Sequence, residues 1–343
     1  MWLKSSSIGR KLIMAITGVC LVLFVTFHAV MNGVALFWPS AYNAICAFLG
    51  ANWYALIASI GLAALFVIHI LYALWLTVQN RRARGNDRYA VTSTPKQVEW
   101  ASKNMLVLGI VVVAFLIEHL IQFWAQMQLA EILHSPVVVD GMPIAPQSGT
   151  LFLQIAFSQW WTPVVYIIGF VALWFHMNHG FWSMFQSCGW TNTVWIERLK
   201  KIGCWWVSIV VALFIAQAIV FTVKAHQNYY TNNEDLRAQY VEMVGEMCMK
   251  DFGPDAAQLV NQISSMPYSV VAEQIPQAVQ QMNAQLENPG FAAQMESNPD
   301  MKKQFETQLK MFSSYKVLFD YLNGTVVEEV EEVAPEANPN PAN

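Results

Sequence analysis

The sequence predicts an all-α integral membrane protein: five transmembrane helices, four of them forming a bundle, followed by a helical C-terminal extension. Three observations carry that prediction. Of 343 residues, 55% are hydrophobic and only 12% charged, about half the charge of an average soluble domain. The apolar residues gather in five runs long enough to cross a hydrocarbon core, which takes about 20 residues of helix. The charge is also divided: residues 1–224 carry 13 Lys+Arg against 6 Asp+Glu, and residues 225–343 carry 6 against 17. The chain therefore reads as a membrane domain over 1–226, an acidic helical extension outside the membrane over 227–325, and a disordered acidic, Asn-Pro-containing tail over 326–343.

The spans follow in order over residues 12–38, 53–78, 105–127, 160–185 and 202–223. The first is too long for a signal-peptide core and ends without a small-residue cleavage site. Trp38, Trp53, Trp160 and Trp161 stand where an aromatic belt belongs. Basic residues alternate between the connections: Lys4, Arg10 and Lys11 precede the first span, Arg81, Arg82, Arg84, Arg88, Lys96 and Lys103 follow the second, and Arg198, Lys200 and Lys201 follow the fourth. By the positive-inside rule these three segments are cytoplasmic, which places the C-terminal extension on the outer, periplasmic side of a bacterial inner membrane. Basic charge confined to short loops argues against nucleic-acid binding. The five cysteines form no CxxC, so zinc-ribbon and iron–sulfur readings are poor.

The extension has helical periodicity. Leu236, Tyr240, Met243, Val244 and Met247 recur at one-face spacing, as do Met301, Phe305, Leu309, Phe312, Tyr315, Phe319 and Leu322. Pro254, Pro267, Pro276, Pro289 and Pro299 are expected to divide it into short helices. It contains no constellation for catalysis.

Histidines carry the functional signal. Five of seven lie in spans: His28, His69, His119, His176 and His179. Ionisable side chains at membrane depth are costly and turn to the bundle interior. One histidine in each of four consecutive spans fits bis-imidazole haem ligation, which takes one ring from each of two facing helices. His28 and His119 lie 17 and 16 residues from the inner basic residues Lys11 and Lys103, whereas His69 and His176 lie 12 residues before Arg81 and Cys188. At 1.5 Å per residue that difference is roughly 6–8 Å. The series therefore predicts two stacked haems, an outer one on His28 and His119 and an inner one on His69 and His176, with the fifth span peripheral. His179, one turn from His176, competes with it as a ligand. Asn32, Tyr72, Gln122 and His179 share a helix face with their respective histidines and are candidate propionate partners. Ordinary interhelical hydrogen bonding is the competing account of each. Glu118, beside His119, is a weak candidate for proton relay or quinone-side chemistry. His134 and His226 read as surface residues.

Ser-Ser-Ile-Gly-Arg-Lys at 6–11, His28 in the first span, and Phe-His-Met-Asn-His-Gly-Phe-Trp-Ser at 175–183 resemble one family over residues 5–224. It is the five-span, di-haem cytochrome b558-type membrane-anchor subunit of succinate dehydrogenases and fumarate reductases. In that family the last ligand is a histidine followed four residues later by glycine, which matches His176 and Gly180. The resemblance implies two haem b groups carrying electrons between an iron–sulfur subunit and a membrane quinone, commonly menaquinone. It further implies a cytoplasmic flavoprotein subunit with FAD that oxidises succinate or reduces fumarate. The basic inner loops, Arg81–Arg88 above all, are candidates for docking the iron–sulfur subunit. Two departures stand out. Some fumarate reductase anchors place a proton-transferring glutamate two residues before the last ligand, where this chain has Trp174, and the acidic extension lies outside the shared core. The runner-up reading is a haem b anchor of another quinone-linked dehydrogenase, such as a hydrogenase or formate dehydrogenase. A histidine-lined transporter is a third, disfavoured because no related halves are visible.

Overall fold

The computed structural model describes residues 6–84, 100–133, 137–139, 142–190 and 192–324. His134, Lys4, Arg88, Lys96 and the tail over 326–343 lie outside the described residues. The chain divides into two compact units, Met1–His134 with Pro146–Tyr230, and Ser135–Ala145 with Thr231–Asn343. Residues 135–145, within the third inter-span connection, thus belong to the same unit as the extension.

The first unit is helical and, among the described residues, holds five helices long and apolar enough to cross a membrane, which makes this a multi-pass membrane protein. Backbone polar groups have no water to bond in lipid, and a helix satisfies them internally. Helix α1 (Ser7–Phe37) starts on Ser6, whose hydroxyl accepts the Gly9 amide at 2.9 Å. Pro39 then opens α2 (Pro39–Ala51) at a position where its missing N–H costs nothing. The remaining long helices are α3 (Trp53–Arg84), α4 (Trp100–His119), α7 (Thr162–Ser187) and α8 (Trp195–His226). Directly after His119 the third span widens into a π-helix over Leu120–Leu129 before the short α5 (Ala130–Leu133). Such stretches are rare and concentrate at functional sites.

Two segments that the sequence presents as connections are helical: α2, and α6 (Gly149–Ser158). They are joined by buried Asn43, whose side-chain oxygen accepts both the backbone N–H and the hydroxyl of Thr150 at 2.9 Å, capping α6 from a neighbouring helix. Charge and hydropathy alone cannot reveal a cap donated from a hundred residues away.

The fifth span is not peripheral, contrary to the expectation from its lack of a ligand histidine. Helix α8 packs on α7, α6 and α1, and Val207, Val211, Phe214, Ala218 and Phe221 form its buried stripe. Gly203 lets the helices approach, since a Cβ there would stand 2.4 Å from Phe181. Polar ties complete the seam: Trp174 Nε1 donates to Ser208 at 2.9 Å, Gln217 to the Ala29 carbonyl at 2.7 Å and Lys224 to the Leu36 carbonyl at 2.9 Å. The outlying span is α3, which has no buried residue in its most apolar stretch. It is held to α1 by a ladder of single contacts: Arg10 over Trp75, Thr17 on His69, and Phe24 edge-on to Phe66.

The second unit contains an antiparallel strand pair, β1 (Val137–Val139) and β2 (Met142–Ile144), with Val137 opposite Ile144. After α9 (Tyr229–Asn232), which straddles the division, come α10 (Glu234–Phe252), α11 (Pro254–Ser264), α12 (Tyr268–Leu286), α13 (Pro289–Ser297) and α14 (Pro299–Asn323). Pro254, Pro289 and Pro299 open helices, but Pro276 sits inside α12 instead of ending a helix. Leu236, Tyr240, Val244, Tyr315, Phe319 and Leu322 form the core that the periodicity predicts, joined by Met311 and Leu318. Cys248 is buried there, and burial pushes its thiol up to about 12, so it serves as a neutral core group. Arg237 ties the unit together by donating to the Thr231 and Leu322 carbonyls and stacking over Tyr268.

Candidate functional site

The spans bring the four histidines together in two pairs. His28 on α1 faces His119 at the end of α4, with ring centroids 5.7 Å apart and ring planes at 82°. His69 on α3 faces His176 on α7, with centroids 6.3 Å apart and planes at 67°. The ring of His179 packs edge-on against Trp182 on its own helix, with centroids 4.9 Å apart. His226 is exposed and donates to the Thr222 carbonyl on its own helix.

Each pair is set by its surroundings. Phe24 stacks on His28, while Phe115 and Phe123 flank His119. His119 Nδ1 lies 3.3 Å from the Tyr166 hydroxyl, which donates to Gln122 at 2.9 Å; Gln122 in turn donates to Thr162. His69 Nδ1 lies 3.0 Å from the Thr17 hydroxyl, which donates to the Ile13 carbonyl at 2.9 Å. Asn32 donates to His28 Nε2 and also to the His28 carbonyl, each at 3.0 Å, and accepts from Tyr42. His176 Nδ1 is buried and has no hydrogen-bond partner.

Gln122 and Asn32 therefore touch the histidine network rather than standing apart from it. Tyr72 contacts the Trp75 ring, one turn along α3. Glu118 is half-buried and within electrostatic reach of Tyr166. Trp174 hydrogen-bonds α8 and is part of the helix seam. Thr17, Tyr42 and Tyr166 escaped the sequence reading. The available signal was a hydroxyl within, or just beyond, an apolar run, and such hydroxyls commonly bond a neighbouring helix; nothing in the spacing says that the neighbour is a histidine.

The residues present fit haem better than a bare ion. Among the described residues, no group of three or more His, Cys, Asp or Glu could hold a metal ion, whereas iron in a macrocycle needs only two axial ligands from the protein. A metal–imidazole bond is about 2 Å and the nitrogen stands about 1 Å from its ring centroid, so two rings on opposite sides of one metal hold their centroids about 6 Å apart. Both pairs meet that condition. Gly18 and Gly109 lie beside the rings, where a Cβ would stand 3.9 Å from His69 and His176 respectively, an ordinary van der Waals distance. Ligation through His28 Nε2 requires Asn32 to release that nitrogen, and its second bond to the His28 carbonyl offers an alternative hold. Comparison with protein-family models, curated proteins and solved structures gives no match.

Proposed function

We propose that the protein is the di-haem cytochrome b membrane anchor of a succinate:quinone oxidoreductase, with the two histidine pairs as axial ligands. The observation that carries this reading is the pairing itself: four histidines from four helices meet two by two, at centroid separations of 5.7 and 6.3 Å. Haem b bound by such pairs supplies reversible one-electron exchange, here between a cytoplasmic iron–sulfur subunit and a membrane quinone, menaquinone in the commonest case. His28 and His119 hold the outer group, and His69 and His176 the inner one, nearer the iron–sulfur and FAD-bearing partner subunits. The chain contributes ligand orientation, an aromatic shell that excludes water, and hydrogen bonds that tune ligand strength. The resemblance at residues 6–11 and 175–183, with three basic segments on one side, supports the choice of dehydrogenase and the cytoplasmic placement of the N-terminus.

The test is to isolate the affinity-tagged chain from its native membrane in mild detergent and add succinate. Co-isolation of a flavin-containing and an iron–sulfur polypeptide, with reduction of b-type absorbance by succinate, is expected. Reduction by hydrogen or formate, and none by succinate, would move the protein to another quinone-linked dehydrogenase.

A further inference from the structure

We infer that Thr17 and Tyr166 are positioning residues, one for each pair, that accept the Nδ1 proton of His69 and His119 and so leave Nε2 as the ligating nitrogen. This inference rests on the haem reading and goes beyond it by naming which hydroxyl sets the character of which ligand.

The hydrogen-bond directions carry the argument. A hydroxyl has one proton to give. Thr17 gives its proton to the Ile13 carbonyl at 2.9 Å, with the Met14 carbonyl also near at 3.2 Å. Its oxygen can then only accept from His69 Nδ1, 3.0 Å away. Tyr166 gives its proton to Gln122 Oε1 at 2.9 Å, so toward His119 Nδ1, 3.3 Å away, it too can only accept. An imidazole with a proton on Nδ1 carries its lone pair on Nε2. Each hydroxyl is itself fixed: Thr17 is 4% exposed and Tyr166 4% exposed. The partner rings lack such an acceptor in the same arrangement, because His28 Nε2 receives the Asn32 amide and His176 Nδ1 is buried without a partner. Each pair therefore joins one ring oriented by a hydroxyl to one that is not. An acceptor on Nδ1 makes the imidazole a stronger electron donor, which favours the oxidised metal and lowers the potential.

The experiment is a spectroscopic redox titration of the complex in native membranes, comparing wild type with Thr17→Val, Thr17→Ser and Tyr166→Phe. Thr17→Val is expected to raise the midpoint potential of the His69–His176 haem and leave the other unchanged. Thr17→Ser, which keeps the acceptor, restores the wild-type value, and Tyr166→Phe raises only the His28–His119 haem. Loss of one haem in Thr17→Val with retention in Thr17→Ser also supports the inference. Two bound haems whose potentials ignore these substitutions, an equal shift of both, or loss of haem in Thr17→Ser would overturn it while leaving the parent reading intact. A wild type without b haem would overturn both.

Discussion

His176 and His179 lie one helical turn apart on α7, yet they meet different neighbours. His176 faces His69, and His179 packs on Trp182. A ligand must approach its partner ring, so the two positions are separable by substitution. His176→Ala is expected to lose one of two haems, and His179→Ala to keep both with at most a shifted potential. Haem quantified per polypeptide checks this, and the reverse pattern would move the ligand to His179. At this scale the sequence was informative about the histidines because burying an imidazole in lipid demands a reason. It was silent about Thr17 and Tyr166, since a hydroxyl in a span can satisfy itself on its own helix, as Thr77 and Thr222 do here. Which carbonyl or ring it meets depends on helix rotation, which hydropathy does not encode.

At the scale of elements, the seams of α7 with α8 and with α4 depend on close approach. A side chain at Gly203 would meet Phe181 at 2.4 Å, and one at Gly169 would meet Phe115 at 2.4 Å, whereas Gly61 on α3 has nothing within 4 Å. Gly203→Val is therefore expected to destabilise the membrane unit by about 1–3 kcal/mol through overpacking. Gly61→Ala should be neutral or slightly stabilising, because alanine is the better helix former. Thermal unfolding of both variants in one detergent decides between them; equal midpoints would mean that the seam does not limit stability. The five spans were legible because each had to be long and apolar. The roles of the fourth and fifth were not, since Gln217, Ser208 and Lys224 look like incidental polar residues until their partners on α1 and α7 are in place. The π-helical widening after His119 likewise has no proline or glycine to announce it.

The whole molecule joins a basic, lipid-compatible unit to an acidic helical one. Under the proposed orientation, in which twelve basic residues in three segments mark the cytoplasmic side, an odd number of spans would carry the extension to the other. Protease added to spheroplasts is expected to cleave beyond residue 230, and truncation there to leave haem bound, because every ligand in the scheme lies before it. Protection until lysis would reverse the orientation. The extension's core was readable in outline from the periodicity of α10 and α14, but the membership of residues 135–145 in that unit was not. A three-residue strand pair leaves too short a pattern to see before its neighbours are known.

The central claim is that the paired histidines hold two b haems. Its most direct test is a reduced-minus-oxidised visible spectrum of the purified full-length chain, with haem counted per polypeptide. The account predicts low-spin b-type bands and two haems per chain, falling to one when His69 is replaced by alanine. A purified, folded chain with no haem absorbance, or with a full complement in His69→Ala, would contradict it.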